Sequence, residues 1–168
     1  SPTSMCLIEY DQKAEELKFR VIRTGAGKIE TYGSKPVPRE ALRKYCDDYW
    51  SFVNTAVQLG EVTGDDDRTR RAFFDTLKTK GATLTNILMN SRTKQRLWSL
   101  AESSEVLVLI TGLLDVPWEA LFSMTSNGGT FLSQNCVVTR WPENTSDNSR
   151  ELERGESHFS RERLVCID

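Results

Sequence analysis

The chain has 168 residues, 38% apolar and 27% charged, enough to bury roughly 70% of the surface an unfolded chain exposes without help from disulfides or metals. Its 22 Lys and Arg against 24 Asp and Glu leave a formal net charge of −2, without the basic surplus of a dedicated nucleic-acid binder. Cys6, Cys46, Cys136, Cys166 and the single His158 form no close Cys/His cluster, so neither a zinc site nor a CxxC redox pair is expected, and no cofactor. Scattered single cysteines fit a reducing compartment. Ser1-Pro2-Thr3-Ser4 has no charged-then-apolar leader pattern. The longest apolar stretch, Val106–Leu114, falls far short of the roughly 20 residues of a membrane helix. A cytoplasmic protein without membrane contact is expected, in which the sequon Asn144-Thr145-Ser146 goes unused.

From the N-terminus, residues 5–34 read as strands. Met5-Cys6-Leu7-Ile8 is apolar, and Leu17 to Val21 alternates apolar with charged, the mark of a strand with one buried face. Gly25-Ala26-Gly27 signals a turn, with a return strand over Ile29–Tyr32. Lys28 gives this turn a passing likeness to a phosphate loop. The spacing is incomplete, no Ser or Thr follows the lysine and a strand comes next, so a hairpin is expected. Pro36 and Pro38 break the strand region. Over 39–60, Leu42, Tyr45, Tyr49, Phe52, Val53 and Ala56 recur in steps of three and four, predicting a helix with one apolar stripe and a stop at Gly60. Gly64 and Asp65-Asp66-Asp67 open a second helix, with Phe73, Leu77, Leu84 and Leu88 on its apolar side and Gly81 in the middle. Three aspartates offer a cation hard oxygen ligands. A helix cap neutralised by Arg68, Arg70 and Arg71 accounts for them without a metal.

Glu105 to Ile110 is a nearly continuous apolar run, the pattern of a central strand buried on both faces. It leads through Thr111-Gly112 to Asp115–Phe122, read as a tight loop and a short helix. Pro117 falls at the first helical position, and Glu119 in the first turn, where the helix dipole favours a carboxylate. Asn127-Gly128-Gly129 is a turn and Cys136–Thr139 another strand. From Pro142 to Arg161 polar and charged residues dominate, with Leu152 and Phe159 the only large apolar ones. This is the composition of a linker, with a processing loop as the sharper alternative. Arg163-Leu164-Val165-Cys166-Ile167-Asp168 then begins a new apolar strand.

Leu107–Ile110, a short loop and Val116-Pro117-Trp118-Glu119-Ala120-Leu121 together resemble the Pro-Trp-Glu-Ala-Leu signature of CHAT domains, caspase-like cysteine peptidases of the caspase and separase clan. Gly129–Leu132 and Val137–Thr139 are similar to the family's next strand pair, and Lys80-Gly81-Ala82-Thr83-Leu84 through Leu88 to the glycine-centred helix ahead of the signature strand. The likeness spans roughly residues 5–142. It implies a caspase-like α/β sandwich, a central sheet flanked by helices. Residues 1–142 would be an N-terminal supporting subdomain, 143–162 a polar linker or mobile loop, and 163–168 the first strand of the catalytic half. It implies a protein that hydrolyses peptide bonds in bacterial defence or regulation, including CRISPR-linked immunity. The implied partners are the remaining catalytic half, on this or another chain, a regulatory or sensor protein and a protein substrate.

That chemistry needs a thiolate activated by an imidazole, with oxyanion donors. The family places its histidine and cysteine C-terminal to the signature. His158, in Ser157-His158-Phe159, lacks the family's following glycine, and Cys166 sits inside a strand. A His158–Cys166 dyad is not expected, and no catalytic residue is assigned. Pro117, Trp118, Glu119, Ala120 and Leu121 are read as a structural signature, with Trp118 in the core and Glu119 satisfying the helix start or paired with an arginine. Two other readings stand beside this one: a degenerate caspase-like scaffold or interaction module without activity, and a nucleotide-binding α/β domain.

Overall fold

Alternating burial along the first two strands sets the sheet. In the structure, a computed structural model that describes residues 2–23, 28–124 and 128–142, β1 (Thr3–Asp11) turns Ser4, Cys6 and Ile8 inward. β2 (Glu16–Arg23) does the same with Leu17, Phe19 and Val21. The two pair antiparallel, Ser4 opposite Arg23 and Asp11 opposite Glu16. In the connecting turn Asp11 Oδ1 accepts the N–H groups of Lys13 and Ala14 at 3.0 and 3.2 Å. β3 (Ile29–Gly33) adds antiparallel to β2, as a hairpin requires; the turn itself, residues 24–27, lies outside the described residues. β4 (Val106–Thr111) runs parallel to β1, and β7 (Val137–Trp141) parallel to β4. The chain is therefore α/β, with a five-stranded mixed sheet in the order β3-β2-β1-β4-β7.

β5 (Phe122–Ser123) and β6 (Thr130–Phe131) form a separate two-stranded ladder. The expected pairing of 129–132 with 137–139 is thus corrected. β6 is bracketed by Gly129, at φ 93, and by a 3-10 turn over Leu132–Gln134, which leaves it no length to run beside β7.

Three helices cover one face of this sheet. α1 (Arg39–Gln58) buries Leu42, Cys46, Tyr49, Val53 and Ala56, an alternation of four- and three-residue steps that keeps one stripe inward. Tyr45 is exposed, so Cys46 takes the place the sequence pattern gives to the tyrosine. Gly60, at φ 73, donates its N–H to the Val57 carbonyl at 3.1 Å and ends the helix. α2 (Asp67–Leu88) starts on Asp66, whose carboxylate accepts from the Arg68 N–H at 3.0 Å and the Thr69 hydroxyl at 2.7 Å. These bonds hold its pKa below the ordinary carboxylate value. α2 buries Phe73, Leu77, Gly81, Leu84 and Leu88. α3 (Ser91–Ser103) has no counterpart in the sequence reading. Asn90 caps it, accepting the Thr93 N–H at 2.9 Å, and Leu97, Trp98, Leu100 and Ala101 anchor it. It separates the glycine-centred α2 from β4, so that α2 is not the element immediately ahead of the signature strand.

The helices share a single core with Cys6, Ile8, Leu17, Phe19, Val21, Leu107, Leu109 and Val138, the inward residues of the strands. On the sheet's other face Val108 is enclosed, Met5, Leu7, Ile22, Val106 and Ile110 are half-buried, and Val137 and Trp141 are exposed. None of these joins the helix-side core. β4 is therefore covered completely on its helix side and in part on the other by the described residues.

Candidate functional site

β4 delivers the chain to the signature. At its end the buried Thr111 hydroxyl accepts the Leu113 N–H at 3.0 Å and sets the turn away from the sheet. Pro117 (φ −79, ψ 68) precedes a single 3-10 turn over Trp118–Ala120 and does not occupy a first helical position. A turn this short has almost no dipole to offer a carboxylate, and Glu119 is held in another way. Trp118 is 0% exposed. Its indole N–H donates to the Leu113 carbonyl at 3.0 Å, and its ring meets Phe19 edge-on with centroids 6.3 Å apart. Ala120 and Leu121 are enclosed beside it.

Glu119 and Arg140 are both fully enclosed. Arg140 Nε donates to Glu119 Oε1 at 2.7 Å, Nη2 donates to Oε2, and Nη1 donates to the Leu114 carbonyl at 2.8 Å. Taking two charges from water is costly, and a pair of this kind holds only when the geometry is bidentate and the remaining protons are satisfied. Here Leu114 supplies the third contact. The Glu119 carbonyl also accepts the Ser133 hydroxyl at 2.8 Å. β7, the loop after β4 and the 132–134 turn are thereby tied at one point. The sequence reading leaves the arginine unnamed. Its signal was an arginine two residues from Val138, at an inward position of an apolar strand.

α2 closes over this knot from the helix side. A Cβ at Gly81 would lie 2.6 Å from the Ala120 carbonyl oxygen and 3.2 Å from Phe122 Cβ. Only glycine lets the helix backbone approach the signature so closely. Nearby, at the ends of β1 and β4, Trp50 Nε1 donates to the Asp115 carbonyl at 2.7 Å, Arg39 pairs with the Asp115 carboxylate at 3.6 Å, and the Tyr10 hydroxyl donates to the Val37 carbonyl at 2.7 Å. These contacts dock the start and the middle of α1.

The described thiols are not poised as nucleophiles. Cys6 is enclosed and burial pushes its pKa up to about 12. Cys46 is enclosed in α1. Cys136 is half-buried, its pKa raised by burial, with Sγ 3.8 Å from the Leu132 carbonyl. A reactive cysteine needs the opposite shift. His158, Cys166, Asn144 and the 163–168 strand lie outside the described residues. Of the three aspartates, Asp66 caps α2, Asp67 pairs with Arg70, and among the described residues no group of three or more His, Cys, Asp or Glu could hold a metal. A cleft of about 350 Å³ between α1 and α2, lined by Phe52, Glu61, Arg68, Thr69 and Phe73 among others, has no cysteine or histidine in its lining. Among the described residues no helix is long and apolar enough to cross a membrane. Comparison of the chain with protein-family models, curated proteins and solved structures finds no match.

Proposed function

We propose that this chain is the non-catalytic front portion of a caspase-like peptidase of the CHAT type. In this reading it braces a catalytic half that hydrolyses peptide bonds through a cysteine and a histidine that are not among the residues of this chain. A partner or sensor protein would control that half, in bacterial defence or regulation. The observation that carries the reading is the enclosed signature. Trp118 is wedged behind a buried strand, Glu119 is locked to Arg140, and Gly81 gives way to Ala120. Residues of a signature used in this way are structural. That fits a supporting subdomain whose sequence resembles a peptidase while its described thiols stay inert.

The test is a peptidase assay on a protein carrying any sequence beyond Asp168, with a cysteine-to-alanine variant of the strand-end cysteine as control. Cleavage abolished by that variant supports the reading. A protein with no strand–His–Gly and strand–Cys segments, and no cleavage, supports the second reading, a degenerate caspase-like scaffold. Thermal shifts with nucleotides would instead favour a nucleotide-binding domain.

A further inference from the structure

The cleft between α1 and α2 lies where the end of one helix meets the start of the next. Phe52 of α1 and Phe73 of α2 line it, their rings stacked with centroids 5.4 Å apart and planes 10° apart. Glu61 and Arg68 line it too. The Glu61 N–H donates to the Ala56 carbonyl at 3.0 Å, which fixes this residue at the carbonyl end of α1. Arg68 is the second residue of α2, at its N–H end. The helix dipole disfavours a carboxylate at the first place and a guanidinium at the second. Pairing with each other would offset both costs, yet among the described residues neither side chain enters an ion pair or a hydrogen bond. Asp66 and Asp67, next to Arg68 in sequence, are engaged as the helix cap and with Arg70. Two opposite charges, each misplaced for its own helix and unpaired beside an aromatic stack, break local rules of stability, and such breaks mark functional sites.

We propose that this cleft binds a free α-amino acid with an apolar side chain. The ligand's carboxylate meets Arg68, its ammonium meets Glu61, and its side chain lies against Phe52 and Phe73. A simple acid would leave Glu61 unanswered and a simple amine would leave Arg68 unanswered; a zwitterion complements both. The cleft's volume of about 350 Å³ falls at the low end of the roughly 300–1,000 Å³ of small-ligand sites, which suits one amino acid and not a folded segment. An apolar lining with a few convergent polar groups is the usual make-up of such sites. The proposal stands apart from the peptidase reading, since it uses none of the signature residues.

The test is a titration of the full chain with L-leucine, read from the amide NMR shifts of Thr69, Ala72 and Thr76, residues of the cleft lining. A saturable shift confined to the cleft is expected. Leucinamide, which lacks the carboxylate, and N-acetylleucine, which lacks the ammonium, should each bind about tenfold more weakly, the worth of one charge-assisted hydrogen bond. Arg68→Gln should bind leucine and leucinamide alike, and Glu61→Gln should bind leucine and N-acetylleucine alike, because each variant deletes the group that tells the two ligands apart. Unchanged shifts in β1 and β4 verify that both variants keep the fold. The proposal is overturned if leucine gives no saturable shift, if wild type binds the three compounds equally, or if both variants keep the wild-type preference for leucine.

Discussion

Glu119 and Arg140, 21 residues apart in sequence, meet as a two-pronged ion pair to which water has no access. The pair welds the edge strand β7 to the loop that leaves β4, and each partner is intelligible only with the other. Removing one leaves a buried charge without compensation, which costs about 3–5 kcal/mol, whereas replacing both with apolar residues of similar volume is often close to neutral. Glu119→Gln and Arg140→Met should each lower unfolding free energy by about that amount, read from urea denaturation. The double variant Glu119→Met with Arg140→Met should recover most of the loss. Single effects that simply add in the double variant would show that the residues do not act as a pair.

Gly81 reverses a familiar expectation. Glycine to alanine inside a helix ordinarily gains about 1 kcal/mol. Here the new methyl meets a backbone carbonyl at 2.6 Å that belongs to the signature and is not free to swing away. Overpacking of this kind costs about 1–3 kcal/mol, so Gly81→Ala should lower the melting temperature despite its better helix propensity. Thr79→Ala, at an exposed position of the same helix, should be neutral or slightly stabilising. A stabilised Gly81→Ala would mean that α2 shifts freely over Ala120.

These two sites mark what the sequence makes legible. The alternation of Leu17, Phe19 and Val21, the stripe from Leu42 to Ala56 and the apolar run of β4 each state a local period, and the α/β class follows from them. Gly81 stands out in the sequence as a glycine within a helix, but its reason is Ala120, nearly forty residues away. α3 is not legible in the sequence because its first turns, Ser-Arg-Thr-Lys-Gln-Arg, are polar, and its apolar contacts crowd into Leu97–Ala101. The short helix expected after Pro117 is one 3-10 turn, and its Glu119 is paired with a charge on β7. Periodicity reports a segment's own surface. It carries nothing about which distant group will satisfy a buried carboxylate.

Trp118 combines bulk with one polar obligation. Trp118→Ala empties the space behind β4 and should cost about 3–5 kcal/mol. Trp118→Phe keeps much of the apolar area but deletes the donor to the Leu113 carbonyl, and an orphaned buried acceptor costs about 1–3 kcal/mol. Both variants should therefore be clearly destabilised in urea, the alanine more so. A Trp118→Phe chain as stable as wild type would show that the carbonyl finds another donor.

The buried thiols give the fold an alkaline signature. Burial raises Cys6 from the ordinary 9.0 to about 12, so between these values the unfolded chain releases a proton that the folded chain keeps. By linkage the stability tied to that proton is intact below pH 9 and declines as pH climbs toward 12. Tyr10 and Tyr32, both raised, the first by burial and the second by its hydrogen bond to Glu30, shift in the same direction. The diagnostic is therefore the difference between wild type and Cys6→Ala, which should lose stability less steeply above pH 9 while starting lower because of the small cavity. Iodoacetamide at pH 8, followed by peptide mapping, should leave Cys6 and Cys46 unmodified in the folded chain and label Cys136 slowly; urea should open all three. Rapid labelling of folded Cys6 would place that thiol at a surface and overturn its position between β2 and β4.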